Sequence, residues 1–217
     1  MDIILSGIQA SGKGTQSRLL LEHFGEKMKY CEMGGILRGL QTTDNPIGSY
    51  LKNLTESGQL VKDEIISGLW GVFMETVADD EMILGDGMLR QIGQTIQITE
   101  KMRDKDRLFK VIHLEIPDEE VIKRIQSRLL CKQCQRSFSI LQEPTLKVGG
   151  KCPNCGGELY IRPDDADINA VRNRIQNFYK GTTPSLEWLA QQGILIRIDG
   201  MQDENKIFNQ ILSLISK

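Results

Sequence analysis

Gly7-Ile8-Gln9-Ala10-Ser11-Gly12-Lys13-Gly14-Thr15 is the stretch from which the rest of the chain is read. Residues 1–6 ahead of it (MDIILS) have the pattern of a short buried strand, and residues 16–24 behind it that of a helix body. A glycine-rich turn between a strand and a helix N-terminus is a phosphate cradle, because backbone N–H groups and the helix dipole both favour an anion there. The glycines let the backbone wrap a polyanion, and Lys13 is in register to reach the β- and γ-phosphates of a nucleotide. The pattern G-x4-G-K-[ST] holds from Gly7 through Lys13, but Gly14 follows the lysine and the hydroxyl comes one place late, at Thr15. A turn that binds nothing is the alternative. The flanking strand and helix and the lysine in register favour phosphate.

Working outward, 217 residues suffice for one substantial core with small insertions. With 27 basic against 29 acidic residues and a net charge of −2, nothing suggests a nucleic-acid groove or a polybasic membrane patch. No apolar leader and no bilayer-length apolar run is present, so the expectation is a cytoplasmic protein with neither nucleic acid nor membrane as partner. In that compartment cysteines are thiols or metal ligands rather than disulfides.

Residues 29–31 form a candidate second strand, with Cys31 a buried structural thiol. Residues 32–40 look helical, with Arg38 one turn past the start. Residues 45–54 fit a second short helix capped by Asn45, with Pro46 in the first turn and Gly58 as the stop. A third helix should run to about position 77. The strandless 32–61 stretch reads as an insertion laid over one edge of a sheet.

Residues 81–87 then give an apolar run ending in Asp86-Gly87. Strand C-termini line the ligand crevice of an open α/β sheet, so Asp86 should sit beside the phosphate loop, where a carboxylate can hold Mg²⁺ through water. A plain turn aspartate is the alternative. Arg90 and Gln94 should project into the same crevice from the first turn of a helix over 91–104. Residues 108–116 form another strand, and Asp118 should cap the helix that follows. Arg124 and Arg128 are spaced to share one face of that helix.

Cys131-Lys132-Gln133-Cys134 and Cys152-Pro153-Asn154-Cys155 are two CxxC knuckles separated by residues 135–151, a strong zinc signal. Four thiolates fill a tetrahedral shell and leave no open position, so the metal is expected to be structural. The competing reading is a redox CxxC, against which the second knuckle counts. Arg162-Pro163-Asp164-Asp165 follow. Next should come a helix over 167–179 carrying Arg174, a separate helix opened by Thr183-Pro184 and ended by Gly193, and a last strand over 194–198. Asp199-Gly200-Met201-Gln202 leads to a C-terminal helix with an apolar stripe at Ile207, Phe208, Ile211, Leu212 and Ile215. Alternating strands and helices predict an α/β fold whose parallel sheet is covered on both faces.

In this order the pieces resemble the adenylate kinases, nucleoside monophosphate kinases of the long bacterial form with a zinc-binding lid. The resemblance covers essentially the whole chain and rests on several stretches together. These are Gly12-Lys13-Gly14-Thr15-Gln16, Gly34 to Arg38, Gly58-Gln59-Leu60-Val61, Asp86-Gly87 with Arg90 and Gln94, the knuckle cysteines, and Asp199-Gly200-Met201-Gln202. In that family GKGT is the usual form, which accounts for the late threonine.

The resemblance implies a P-loop three-layer fold with a five-stranded parallel sheet. It implies a core of residues 1–31, 62–128 and 163–217, an AMP-side helical insertion over 32–61 and a zinc lid over 129–162. It implies reversible transfer of the ATP γ-phosphoryl to AMP, giving two ADP, with Mg²⁺ and a structural Zn²⁺, by a monomer. Ala10, Ser11, Gly12, Lys13, Gly14 and Thr15 would hold the ATP phosphates. Ser137 and Phe138 would pack on ATP, with Gln202 near its adenine. Arg38 and Arg90 would grip the AMP phosphate beside Met33 and Gly87. Gln59, Leu60, Val61 and Gln94 would read the adenine of AMP. Arg124, Arg128, Arg162 and Arg174 would close on the reacting phosphates, Arg162 and Arg174 also touching AMP.

The chain departs from the family pattern at Gln9-Ala10, at Met88-Leu89 after Asp86-Gly87, at Met33 in place of a threonine, and at Gly35 in place of an aspartate. These departures keep two other readings open: kinase action on UMP or CMP, and a nucleotide-binding module without turnover.

Overall fold

The computed structural model describes residues 1–56 and 60–215, with backbone alone at 55, 56, 163 and 164. β1 (Asp2–Gly7) runs into α1 (Lys13–Phe24), β2 (Met28–Glu32), α2 (Met33–Gln41), α3 (Pro46–Glu56) and α4 (Asp63–Met74). Then come β3 (Met82–Asp86), α5 (Ile92–Asp104), β4 (Phe109–Glu115) and α6 (Asp118–Gln126). A small antiparallel sheet follows, with β5 (Arg128–Cys131), β6 (Ser137–Ser139) and β7 (Leu159–Tyr160) in the order β6-β5-β7. The chain returns through α7 (Pro163–Ala166), α8 (Ile168–Gln191), β8 (Leu195–Asp199) and α9 (Glu204–Ile215).

The main sheet is five-stranded and parallel, in the order β2-β3-β1-β4-β8. Its two faces follow from the period-2 alternation of β1. Ile3 and Leu5 point into a layer with Leu20 of α1 and Ile207 and Ile211 of α9, while Ile4 points into one with Trp70 of α4, Ile98 and Met102 of α5, and Leu189 of α8. Both layers are buried, as expected for an all-parallel sheet. The apolar stripe of the C-terminal helix is part of the first layer. Cys31 is buried, and burial pushes its thiol up to about 12.

Several local expectations are corrected. The helix holding Arg124 stops at Gln126, and Arg128 opens β5, so the two arginines do not share a helical face. At the stop, Ser127 Oγ donates to the Arg124 carbonyl (3.1 Å). Asp118 does not cap that helix: its carboxylate accepts the Tyr179 hydroxyl at 2.7 Å, and Pro117 stands at the N-cap. Arg90 lies ahead of α5, in the loop after β3, with Gln91 at the N-cap. The segment from 168 to 191 is one helix with Pro184 inside it. An interior proline costs about 3 kcal/mol. Buried Val171 and Ile175 before it, and Ser185, Leu186 and Leu189 after it, keep both halves on the core. The third helix ends at Met74, earlier than expected. Asn45 does cap its helix, its Oδ1 accepting from the N–H groups of Ile47 (3.0 Å) and Gly48 (2.9 Å). The expected stop at Gly58 lies outside the described residues.

Candidate active site

The carboxyl ends of β1, β2 and β3 meet at one point, because the sheet register sets Leu5 beside Asp86 and Asp86 beside Glu32. The chain leaves β1 in one direction and returns to β4 on its other side, which makes this end the crevice of the sheet. The phosphate loop closes over it. Gly7 has φ +147°, and a Cβ there would stand 2.5 Å from Ser11 Oγ and 2.8 Å from the Leu114 carbonyl, so only glycine fits. Ala10 (φ +62°) and Gly12 (φ +103°) are also left-handed, and their turn presents the N-terminus of α1 to the crevice.

Lys13 Nζ donates to the carbonyls of Gly7 (2.8 Å) and Ile8 (3.0 Å), so the ammonium arches over its own loop. Burial lowers its pKa, opposed by the charge of Asp86; Arg90 and Arg128 lower it further, and Glu32 raises it. These residues from four segments therefore share one electrostatic neighbourhood. Asp86 is buried, and burial raises its pKa against the pull of Lys13. Among the described residues its Oδ1 has no hydrogen-bond partner. A hydrated divalent cation suits such an oxygen.

Arg90 is held by its backbone. Its N–H donates to Gln94 Oε1 (3.1 Å), and its carbonyl accepts from Thr182 Oγ1 (3.4 Å). A Cβ at Gly181 would stand 2.8 Å from that carbonyl, so α8 approaches this closely because residue 181 is glycine. The Arg90 side chain remains open to solvent although protein surrounds it. That crowding lowers its pKa, Asp86 raises it, and the neighbouring charges of Arg162 and Arg38 lower it again. Gln94 is buried, and its Nε2 lies 3.5 Å from the Val61 carbonyl. Gly87 (φ +81°) passes close to the start of α2, where its Cβ would lie 3.6 Å from Gly34 N.

Arg128 and Arg174 meet on Asp165, whose side chain is almost fully buried. Arg124 donates to Glu120 (2.8 Å), to the Ala10 carbonyl (3.3 Å) and to the Gly200 carbonyl (3.2 Å), and so sits at the outer edge of the phosphate loop. Gln202 is close by in sequence, its Nε2 on the Asp199 carbonyl (3.1 Å).

Met33 is packed into the core beside Met88 and Leu89. Leu60 is exposed and Val61 buried, and Gln59 falls outside the described residues. Ser137 and Phe138 are on the small sheet, Phe138 packing against its core of Leu129, Cys131, Cys152 and Leu159. Glu32 was not foreseen. Its signal lay in two glycines at 34 and 35, which leave room for a long carboxylate to fold back.

The sulfurs of Cys131, Cys134, Cys152 and Cys155 lie within 4.8 Å of one another, with Cys131–Cys155 at 3.4 Å and Cys134–Cys152 at 3.7 Å. Tetrahedral Zn–S bonds of about 2.3 Å imply S···S edges of about 3.8 Å, so the cluster fits that ion. The Arg136 N–H lowers Cys134 to about 6. The Gly157 N–H alone would lower Cys155, but hydrogen bonds with the other knuckle thiols carry it up to about 12. Four thiolates this close need a cation.

The family model described as Adenylate kinase matches residues 5–194. The chain is 34% identical over 221 residues to an adenylate kinase of Methanothrix thermoacetophila, covering 100% of this chain and 99% of that protein. It is 31% identical to one of Limosilactobacillus fermentum, with 100% and 99% covered, and 28% identical to one of Thermodesulfovibrio yellowstonii, with both covered fully.

Proposed function

The chain belongs to the adenylate kinase family and transfers a phosphoryl group between ATP and AMP, and we propose that it does so with the charges gathered at the carboxyl end of its sheet. The observation that carries this reading is the convergence of Lys13, Asp86, Arg90 and Arg128, from three separate segments, on one crevice.

Phosphoryl transfer asks the protein mainly for positioning and charge neutralisation. In this reading the turn from Ala10 to Thr15 holds the ATP phosphates through backbone N–H groups, and Lys13 trades its two carbonyl partners for phosphate oxygens. That exchange is favourable because the ammonium is desolvated where it sits. Arg38 and Arg90 hold the AMP phosphate, and Arg128, Arg162 and Arg174 line the path of the transferred group. Arg124, at the edge of the phosphate loop, closes on the reacting phosphates with them. Gln202 is assigned to the ATP base side, with Ser137 and Phe138 reaching it from the zinc lobe. Gln94, with the backbone of Gln59, Leu60 and Val61, reads the adenine of AMP, because a primary amide both donates and accepts. Asp86, whose Oδ1 has no partner among the described residues, would hold Mg²⁺ through water, and the ion would supply charge neutralisation of the phosphates. The knuckle cysteines hold a structural Zn²⁺.

Water competes with AMP as acceptor, so the site has to shut before transfer, as lids in this family do. We assign the closing parts to 32–61 and 129–162 and the core to 1–31, 62–128 and 163–217. An apolar groove of about 400 Å³ lies where Leu40, Ile47, Tyr50 and Leu51 of the first part meet Ile65 and Leu69 of α4. We place the protein in the cytoplasm as a monomer. Among the described residues no helix is long and apolar enough to cross a membrane, and a thiol cluster suits a reducing compartment.

The test is ADP formation from ATP, Mg²⁺ and a panel of monophosphates. AMP should be the preferred acceptor, and Lys13→Met should lower turnover by at least about 10³-fold, the scale of a lost cation at the transferring group. Faster use of UMP or CMP, or an unchanged Lys13→Met enzyme, would reject the assignment.

A further inference from the structure

We propose that Glu32 is a built-in competitor for the AMP phosphate, holding Arg38 in the empty site and yielding it only to a phosphate dianion; this rests on the reading of Arg38 as an acceptor-phosphate ligand. Glu32 ends β2, directly across the ladder from Asp86, and Met33 begins α2. From there its carboxylate folds back over the first turn of α2. Both oxygens receive Arg38 Nη2, at 3.1 and 3.0 Å.

The fold makes room for this contact. A Cβ at residue 34 would stand 2.8 Å from Glu32 Oε1 and 3.0 Å from Arg38 Nη1, and a Cβ at residue 35 would stand 2.5 Å from Glu32 Oε2. Gly34 and Gly35 therefore clear the space that the carboxylate occupies. The pair is also part of the crevice. Glu32 acts electrostatically on Lys13, Asp86 and Arg90, and Arg38 acts on Arg90.

A carboxylate and a phosphate oxygen compete for the same face of a guanidinium. With Glu32 in place, an incoming monophosphate has to displace a bonded anion and then remain beside its charge. A phosphate dianion outbids a single carboxylate, whereas a nucleoside or a monoanion does not. Glu32 thus raises the threshold for acceptor binding first of all, since its charge is the weakest of those acting on Lys13 on the donor side. The side chains of Arg38 and Glu32 are 52% and 38% exposed, which limits the effect to that of a screened pair.

The experiment uses the full chain with zinc bound. KM for AMP is measured at saturating MgATP and KM for ATP at saturating AMP, and calorimetry reads AMP binding without ATP. Glu32→Gln should lower KM and Kd for AMP by about 2–5-fold, the range of a screened charge pair, with KM for ATP moving less and KM for AMP moving more than kcat. Glu32→Asp, one methylene shorter, should shift AMP in the same direction by less, and it serves if the glutamine variant folds poorly. Adding Glu32→Gln to Arg38→Met should produce a smaller fall than in the parent, because only the repulsion between carboxylate and phosphate is then relieved. An unchanged or raised KM for AMP, an equal shift for ATP, or a fall undiminished without Arg38 would overturn the proposal. If Arg38→Met itself leaves KM for AMP unchanged, the acceptor-site reading falls with it; if Arg38→Met raises that KM but Glu32→Gln does not lower it, only the role of Glu32 falls.

Discussion

Arg128 lays its guanidinium on Asp165, with Nε at 3.0 Å and Nη2 at 2.6 Å from one carboxylate oxygen, while Arg174 Nη2 takes the other oxygen at 2.8 Å. Arg128 is the first residue of the strand that leads into the zinc lobe, and Asp165 lies in the short helix by which the chain returns. One buried carboxylate therefore ties the outgoing crossing to the incoming one and holds two arginines beside the crevice.

Asp165→Asn keeps the shape and removes the charge. Two arginines then lose their counterion in a largely buried setting, which costs about 3–5 kcal/mol. The variant should melt earlier by thermal unfolding, and its ADP formation should fall at least about tenfold, since misplacing a group by an ångström can cost more than that. An unaltered melting curve would mean that the pair does not pin the crossing.

Zinc removal should be a local event. Among the described residues the core of the small sheet has four buried side chains, Leu129, Cys131, Cys152 and Leu159, two of which are knuckle cysteines. A module of that size cannot stay folded on apolar burial alone, while structural zinc supplies about 10–16 kcal/mol in comparable modules. Chelation should release amide protection in 129–162, raise KM for ATP and leave protection of the five-stranded sheet in place. Hydrogen exchange with and without chelator reads both regions, and steady-state kinetics reads the KM. Intact lid protection and unchanged ATP affinity would show that the lobe does not depend on the ion.

At the opposite end of the sheet, the buried Asp2 carboxylate accepts from Arg107 Nε (2.6 Å), Arg107 Nη2 (3.0 Å) and the Ile83 N–H (2.8 Å). Arg107 also reaches the Glu81 carbonyl (2.5 Å), so it joins β1, β3 and the loop before β4. Arg107→Met should leave a buried charge uncompensated and lower stability by about 3–5 kcal/mol, without changing KM for either nucleotide. Denaturant unfolding alongside steady-state kinetics separates the two effects.

Much of this architecture could be read in the sequence because its causes are local. The run through Gly7, Gly12 and Lys13 sits between a strand pattern and a helix pattern, and steric clash permits little else there. The knuckle spacing gave the cysteine cluster, whose sulfurs now stand within bonding reach of one ion. What misled were positions decided by distant partners. Asp118 reads as a cap but is taken by Tyr179, which is far away in the chain. Pro184 reads as a break, yet buried residues on both sides of it hold one helix together. Arg124 and Arg128 have helical spacing, but the helix stops between them. The pairing of Glu32 with Arg38 depends on empty space above two glycines, and a pattern of residue types does not display space.

His113 should give the protein an acid-sensitive limb. It is buried on β4, its Nδ1 lies 3.2 Å from Ser6 Oγ, and its ring stacks on Phe178 with centroids 6.1 Å apart. Burial lowers its pKa from 6.5 to about 4, with Glu115 raising it and Arg197 and Lys13 lowering it further. Between those two pH values the unfolded chain binds a proton that the folded protein refuses. Stability from this group is therefore complete above about pH 6.5 and is lost progressively as pH falls toward 4, by about 3 kcal/mol. Carboxylates and the knuckle thiolates titrate in acid too, so the readout is a difference between two proteins. Denaturant unfolding of the parent and of His113→Asn, which can keep the bond to Ser6, should give curves that converge as pH drops from 6.5 to 4, because only the parent carries the histidine penalty. If the two curves run parallel through that interval, His113 is already protonated when folded, and its burial against Phe178 does not exclude the charge.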